Sequence, residues 1–181
     1  MKLRAVELDD VDLFYEWEND MELWEFGNTM RPFSKYALEN YVLNSQNESL
    51  YSAKQMRLMI DVERNNAIYT LGCIDVYDYE AKDAKAGIGI FICKSERQKG
   101  YAQKAISLLE NIMQNTYNIH QLYAFITEDN EKSIALFEKC GYKFNASLKD
   151  WVLVNRKFKN VNIYQKYYNK FNAFLNKLRK R

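Results

Sequence analysis

The spacing of apolar residues switches along this chain between a period of two and a helical period, and each period predicts its own kind of element. Residues 56–62 alternate apolar with polar side chains, which is typical of a half-exposed strand. Ala105, Ile106 and Leu109 instead share one face of a helix. The whole pattern predicts strands at 2–6, 56–62, 69–77, 86–92, 121–127, 151–154 and 161–167, helices at 11–17, 100–115, 130–139 and after Ser34, and loops at 78–85 and 155–160.

The composition predicts one globular domain. The chain has 181 residues, of which 48% are hydrophobic and 28% are charged, and this length is enough to bury a sizeable core. No apolar run approaches the ~20 residues that a membrane span needs, and the acidic start lacks the pattern of a signal peptide. We therefore expect a cytoplasmic protein with no membrane partner.

Cysteine and histidine are rare in this chain, which limits the kinds of metal or catalytic site that it can form. Cys73, Cys93 and Cys140 lie far apart in the sequence without metal-ligand spacing, so we expect buried thiols in a reducing compartment. His120 is the only histidine, which argues against a histidine-based metal site and against a Ser-His-Asp triad. No metal is expected.

The net charge is only +2, but the charges are unevenly distributed. Residues 1–30 carry nine acidic residues, whereas the chain beyond Asp150 carries nine Lys or Arg and no acid. Each run is either a solvated face or a means of attracting a partner, which for the acidic run would be a cationic acceptor. Residues 167–181 add apolar positions near helical spacing, which predicts a basic amphipathic helical tail packed on the domain or on a second subunit. Nucleic-acid binding is the minority interpretation of this tail.

The segment Glu96–Ala102 joins the predicted buried strand at 86–92 to the predicted helix at 100–115. Such a turn makes a site for anions, because the first N–H groups of a helix have no internal partner and lie at the positive end of its dipole. Gly100 would let the backbone approach a phosphate closely, and Arg97 and Lys99 add positive charge. The segment therefore predicts a phosphate-binding loop.

Two motifs in the second half of the chain together resemble a known family. Arg97–Ala102, with the pattern Arg-x-x-Gly-x-Ala, is similar to the acetyl-CoA pyrophosphate loop of the GNAT family of N-acetyltransferases. Asn130–Tyr142 resembles the family's later signature, Asn-x-x-Ser-x-x-Leu-Tyr/Phe-x-x-x-Gly-Phe/Tyr. Asp75–Asp78 and Lys149–Trp151 look most like the branch that holds ribosomal-protein N-terminal acetyltransferases and spermidine acetyltransferases.

This resemblance implies an α+β fold, the GNAT acyl-CoA N-acyltransferase architecture. A mixed, mostly antiparallel twisted sheet of six or seven strands would be flanked by helices in a three-layer αβα arrangement. Its central parallel pair of strands would splay apart to admit the cofactor. Residues 1–166 would form the GNAT domain and residues 167–181 the tail.

The resemblance also implies the cofactor, acetyl-CoA (CoA), and its binding residues. The pantetheine arm would lie along the end of the strand at 86–92, mostly against backbone groups, and Asn130 and Ser133 would contact it. Asn130 is also typical of a helix N-cap, and Ile90 and Ile92 are also typical of core packing. The expected cofactor-binding residues are Ile90, Phe91, Ile92, Arg97, Gln98, Lys99, Gly100, Tyr101, Ala102, Asn130, Ser133 and Phe137.

Two positions depart from the family pattern, and both concern proton transfer. Many members carry a Tyr as general acid where this chain has Phe137, so Ser133, Tyr142 or water would have to protonate the thiolate. Relatives often carry a Glu where this chain has Gly87, and Asp75 is the expected substitute base, although it is equally well a structural hydrogen-bond partner. Asp75 and Ser133 are therefore the candidate catalytic residues.

Acceptor specificity in this fold comes largely from the first two helices and the closing hairpin. The first two helices of this chain mix acidic with aromatic residues, which suits a polyamine or a basic N-terminal peptide. Core packing or a solvated face is the alternative for each residue taken singly. The candidate substrate-binding residues are Trp17, Glu18, Trp24, Glu25, Phe26 and Arg31.

The sequence therefore predicts an acetyl-CoA-dependent N-acetyltransferase that moves the acetyl group by direct transfer to a primary amine. The acceptor is either the N-terminus of a protein or a small polyamine-like molecule. A non-catalytic acyl-CoA-binding or regulatory module of the same fold is the alternative, motivated by Phe137 and Gly87. Assembly into a homo-oligomer stays open.

Overall fold

The computed structural model describes residues 1–24 and 29–168, so the predicted tail lies, from residue 169 onward, outside the described residues. The strands are β1 (Lys2–Ala5), β2 (Met56–Arg64), β3 (Ala67–Glu80), β4 (Lys85–Ile92), β5 (Gln121–Thr127), β6 (Lys143–Val154) and β7 (Lys157–Tyr167). The helices are α1 (Val11–Glu18), α2 (Met21–Trp24), α3 (Lys35–Asn47), α4 (Leu50–Ala53), α5 (Tyr101–Thr116) and α6 (Glu131–Lys139).

These seven strands form one mixed sheet in the order β1-β2-β3-β4-β5-β7-β6. Every neighbouring pair is antiparallel except β4 and β5, which are parallel. That parallel pairing stops after the contact of Gly87 with Tyr123, although both strands continue beyond it. The splayed central pair expected from the sequence is therefore confirmed.

Helices cover both faces of the sheet, which confirms the three αβα layers. On one face, Ile106 and Leu109 of α5 pack in a core with Ile74 and Leu122 from the strands. On the other face, α1 and α3 bury a smaller cluster that includes Phe14. In the described part of the chain, no helix is long and apolar enough to cross a membrane.

Two predicted loops were too long. β3 runs to Glu80 and β4 begins at Lys85, so four residues separate strands where 78–85 was expected to be loop. The closing hairpin turns through Asn155 and Arg156 alone, both with positive φ (49° and 62°), whereas 155–160 was expected to be loop. Such two-residue turns match the twist of the flanking strands. Residues 157–160 were predicted as a loop because three of the four are polar, but residues 157–159 pair with residues 152–154 of the edge strand β6.

A β-bulge shifts the register of β2 and β3. Asp61 pairs with Thr70 but Ile60 pairs with Gly72, so β3 carries one extra residue, Leu71. Because of this extra residue, Arg57 lies opposite Asp75 and shares its face of the sheet. Glycine is required beside the bulge, since a Cβ at Gly72 would lie 2.0 Å from the Phe91 carbonyl oxygen.

Candidate active site

The N-terminus of α5 is a candidate anion-binding site. Gly100 is the N-cap residue in the left-handed conformation (φ 81°), which glycine adopts without strain. The first bond of the helix runs from the Lys104 N–H to the Gly100 carbonyl (3.2 Å), so the N–H groups of residues 101–103 lack an intrahelical partner. A Cβ at Gly100 would meet no atom of the described residues within 4 Å. The backbone there is therefore accessible to a phosphate, as expected.

An ion pair fixes the loop that leads into this helix. Arg64 donates to the Glu96 carboxylate (Nη2 to Oε2, 2.6 Å) and to the Tyr101 hydroxyl (2.9 Å). Lys99 donates to the same carboxylate at 3.2 Å. The hydrogen bond from Arg64 lowers the pKa of Glu96 to about 2, so the carboxylate stays ionised and its charge is already neutralised by cations. The loop thus keeps its positive character.

Beyond Gly87, β4 presents an open edge toward β5. None of the described strand pairs joins residues 88–92 of β4 to β5, so backbone groups on that side are available to a ligand. Ile90 and Phe91 are half-buried, while Ile92 is buried. Arg97 donates from Nε to the Ile92 carbonyl (2.8 Å), and its guanidinium lies 5.9 Å from the centre of the Phe91 ring. Arg97 therefore ties the phosphate loop to the end of the open strand.

The second motif, Asn130–Tyr142, spans the N-cap of α6, the helix itself and the residues that follow it. The Asn130 side-chain oxygen accepts from the Ser133 N–H at 3.1 Å, so Asn130 caps α6 and keeps its amide N–H₂ for another partner. Ser133 itself is half-buried. Phe137 is only 3% exposed and packs edge-on against Tyr142 at 5.1 Å. Burial raises the pKa of Tyr142, so this core phenol is poorly placed to protonate a thiolate.

A cavity of about 250 Å³ lies between α1–α2 and the open strand. The helices contribute Trp17, Glu18 and Trp24 to its wall, and the sheet contributes Asp75 and residues 89–91 among others. Trp17 lies 5.1 Å from the Phe91 ring, centre to centre. Three of the candidate substrate-binding residues and the candidate base thus meet beside the candidate cofactor strand, as the sequence analysis expected.

Asp75 is not free in this cavity. Both of its carboxylate oxygens accept from Arg57, through Nε (2.7 Å) and Nη2 (2.9 Å). The third nitrogen, Nη1, donates to Glu18. Asp75 therefore serves at least as a hydrogen-bond partner, which was the alternative to its role as a base.

The other predicted site residues are not among those that the structure places in this cavity. Arg31 is exposed and does not line the cavity, while Glu25 and Phe26 lie outside the described residues. Ser133 is not among the cavity-lining residues either. The sequence analysis missed Arg57 and Cys73, which do line it. The only available signal for Arg57 was a charged residue on the polar side of an alternating strand.

The cavity wall offers no activated thiol. Cys73 is 4% exposed, and burial raises the pKa of its thiol. A buried, protonated thiol is a poor nucleophile. An acyl-enzyme intermediate on Cys73 is therefore disfavoured.

Tyr77 explains the glycine that departs from the family pattern. A Cβ at Gly87 would lie 2.1 Å from the Tyr77 ring, which crosses the glycine and packs edge-on against Tyr123 (6.0 Å). Burial raises the pKa of Tyr77, and a hydrogen bond with the Phe125 backbone opposes that shift in part. A larger residue at position 87 would displace this ring from the point where β4 and β5 separate.

A larger concavity of about 630 Å³ lies on the sheet near Lys85, Gln121 and Phe125. It is open to solvent and its lining residues include neither the open segment of β4 nor the loop at Gly100. The smaller cavity is the better candidate for chemistry, because acidic and aromatic side chains meet there beside backbone groups that lack a strand partner.

Comparison with known proteins relates this geometry to enzymes. The family described as Acetyltransferase (GNAT) domain matches residues 1–143. Spermidine N(1)-acetyltransferase of Escherichia coli (strain K12) is 21% identical over 163 residues, which cover 89% of this chain and 82% of that enzyme. The corresponding enzyme of Vibrio cholerae is 20% identical over 161 residues, which cover 89% of each chain.

Solved structures share the fold. Spermidine N-acetyltransferase from Vibrio cholerae, crystallised in complex with CoA and spermine, superposes with a TM-score of 0.79 at 20% identity, covering 94% of this chain and 97% of that one. A dodecameric structure of the same enzyme in an intermediate state gives a TM-score of 0.76 at 20% identity, with 94% and 95% covered.

Proposed function

This chain belongs to the Acetyltransferase (GNAT) domain family, and from that premise we propose that it transfers the acetyl group of acetyl-CoA directly to a primary amine of a polyamine. One observation carries the proposal: the cavity lined by Glu18, Trp24 and Asp75 opens onto residues 89–91 of β4. Donor and acceptor can therefore meet at the open strand edge.

The donor side of the proposal rests on backbone geometry. The pyrophosphate would accept hydrogen bonds from the N–H groups at the start of α5, helped by the helix dipole. The pantetheine arm would pair with the unpartnered edge of β4, and the Asn130 amide is free to donate to it. One of the β4 N–H groups would then stabilise the negative charge that develops on the thioester oxygen.

The acceptor side rests on charge and on aromatic rings. Glu18 and Asp75 attract an ammonium group, and Trp17 and Trp24 offer ring faces for cation–π contact and for an alkyl chain. The named bacterial relatives act on spermidine, which favours the polyamine over the N-terminus of a protein.

Direct transfer follows from the groups in the cavity. The lone pair of a neutral amine attacks the thioester carbon, the C–N bond forms and the C–S bond breaks, and the amine proton leaves for water or for the departing thiolate. Close placement supplies most of the acceleration. A free thiol has a pKa near ~8.5, so the thiolate can leave without a strong acid, and water can protonate it where Phe137 cannot. Ser133 does not line the cavity and would act only through such a water.

Assembly belongs to the same proposal. The related enzyme of Vibrio cholerae has a dodecameric structure. In this chain, Trp151, Leu153 and Phe158 on the closing hairpin are 60%, 62% and 64% exposed, and such a patch is typical of an interface. We expect light scattering to give a mass above the 21.6 kDa of one chain.

An assay of thiol release from acetyl-CoA tests the proposal. Spermidine, an aminoglycoside and a pool of peptides with mixed N-termini are compared in parallel, and the mass of each product is determined. We expect release with spermidine and a product that carries one acetyl group. Release with the peptides alone would overturn the acceptor class. No release at all, with CoA binding confirmed, would favour the non-catalytic module.

A further inference from the structure

Arg57 lies in the wall of the acceptor cavity and joins two of its acidic groups. Its three guanidinium nitrogens donate to Asp75 on β3 and to Glu18 on α1. The ion pair with Asp75 is bidentate, which is the strongest geometry available to a guanidinium and a carboxylate.

The surroundings hold this guanidinium in one place. It lies over the rings of Phe14 (5.4 Å) and Tyr41 (6.0 Å), and about a fifth of the side chain is exposed. Burial is the largest single influence and lowers the pKa of Arg57, but its partners, of which Asp75 contributes most, together outweigh burial and raise that pKa well above its ordinary value. Arg57 therefore stays charged at every pH at which the protein is folded.

The cluster sets the charge that an acceptor meets. Two carboxylates and one guanidinium leave one net negative charge, divided between the helix side and the sheet side of the cavity. Without the guanidinium, the two carboxylates would repel each other in a partly desolvated space, and nothing would hold them in this arrangement. The bulge at Leu71 is what brings Arg57 opposite Asp75, so the register of the sheet builds this arrangement.

We propose that Arg57 is a positioning residue of the acceptor site, which orients Glu18 and Asp75 so that the cavity holds one ammonium group of the acceptor. This inference rests on the proposed function and adds the residue that sets the charge of the site. The alternative is that Arg57 has a structural role only and holds α1 against the sheet.

Four groups from three elements face Arg57: Glu18 from α1, Tyr41 from α3, and Cys73 and Asp75 from β3. Burial raises the pKa of Tyr41 and that of Cys73, so both stay neutral near pH 7.

The test compares wild type with Arg57→Gln and Arg57→Lys in the full chain. Acetyl transfer to spermidine is followed by steady-state kinetics, acetyl-CoA binding is titrated by calorimetry, and melting temperatures are recorded. In Arg57→Gln we expect the KM for spermidine to rise about tenfold while kcat stays within a few-fold. Acetyl-CoA affinity should change less than twofold. Arg57→Lys keeps the charge but loses the bidentate geometry, so its KM for spermidine should rise by less.

Each remaining outcome overturns the proposal. A folded Arg57→Gln with the wild-type KM for spermidine shows that Arg57 has a structural role only, as does an equal loss of acceptor and acetyl-CoA binding. Should Arg57→Gln fail to fold, a wild-type KM for spermidine in Arg57→Lys has the same meaning. A wild type that neither binds nor acetylates spermidine removes the proposed function and this inference together, whereas an active wild type with unaltered variants removes the inference alone.

Discussion

At the scale of single residues, Asp75 changes most between sequence and structure. Its place on a strand beside the cofactor segment made it a candidate base, and it does line the cavity. Both of its oxygens, however, accept from Arg57. An acid held in this way is better suited to binding a positive charge than to removing a proton. We therefore assign Asp75 the role of an anchor for the acceptor, and leave deprotonation of the amine to water.

Asp75→Asn separates the two roles. A hydrogen bond to a charged group contributes about 1.5–3 kcal/mol, so the anchor role predicts that the KM for spermidine rises at least about tenfold while kcat stays within a few-fold. Steady-state kinetics against both substrates measure this. Asp78→Asn is the matched control, because it makes the same change on the same strand outside the cavity. A large fall in kcat with an unchanged KM would restore Asp75 as the base.

At the scale of elements, the candidate phosphate site depends on the backbone conformation at the N-terminus of α5. The helix is 16 residues long, and its unpaired N–H groups follow a glycine at φ 81°. Ordinary residues are strained at such an angle. Backbone strain and added charge at position 100 can therefore affect acetyl-CoA binding separately, and a different substitution tests each.

Gly100→Glu should weaken acetyl-CoA binding by about a hundredfold or more, because it places a negative charge where the pyrophosphate would lie. Gly100→Ala is the matched control: it introduces the same backbone strain, worth about 1 kcal/mol, without the charge. Calorimetric titration of acetyl-CoA into both folded variants measures the difference. Equal affinities for the Glu and Ala variants would move the pyrophosphate away from this loop.

Periodic elements were predictable from the sequence, whereas register was not. β5 has the predicted bounds, α6 begins one residue later than predicted, and α5 is shifted by one residue at each end. These elements were predictable because their apolar spacing is regular and turn or cap residues flank them. The cap at Ser34 is also confirmed, since its hydroxyl accepts from Ala37. The extra residue Leu71 leaves no periodic trace, because residues 71–74 are all apolar or glycine and all buried. The pairing of Arg57 with Asp75 could therefore not be read from the pattern.

For the proposed cofactor half of the site, the exposed backbone groups at the end of β4 and at the start of α5 were predictable, because they depend on element order and on one glycine. The acceptor half was predictable only as a region. Trp17, Glu18 and Trp24 line the cavity and Arg31 does not, since the direction of each side chain depends on how α1 and α2 pack on the sheet.

At the scale of the whole molecule, the two faces of the sheet carry the two halves of the candidate site. α5 lies on one face and its N-terminus is the candidate pyrophosphate site, whereas α1 lies on the other face and lines the cavity proposed for the acceptor. β4 and β5 do not pair beyond Gly87 and Tyr123, so we propose that donor and acceptor meet there, one from each face of the sheet.

A crystal structure of this chain with CoA and spermidine tests that arrangement most directly. The account predicts that the pyrophosphate accepts from the N–H groups of residues 101–103, that the CoA sulfur lies beside Gly89–Phe91, and that an amine of spermidine lies between Glu18 and Asp75. CoA bound away from the β4 edge, or spermidine bound outside the cavity of Trp17 and Trp24, would contradict it.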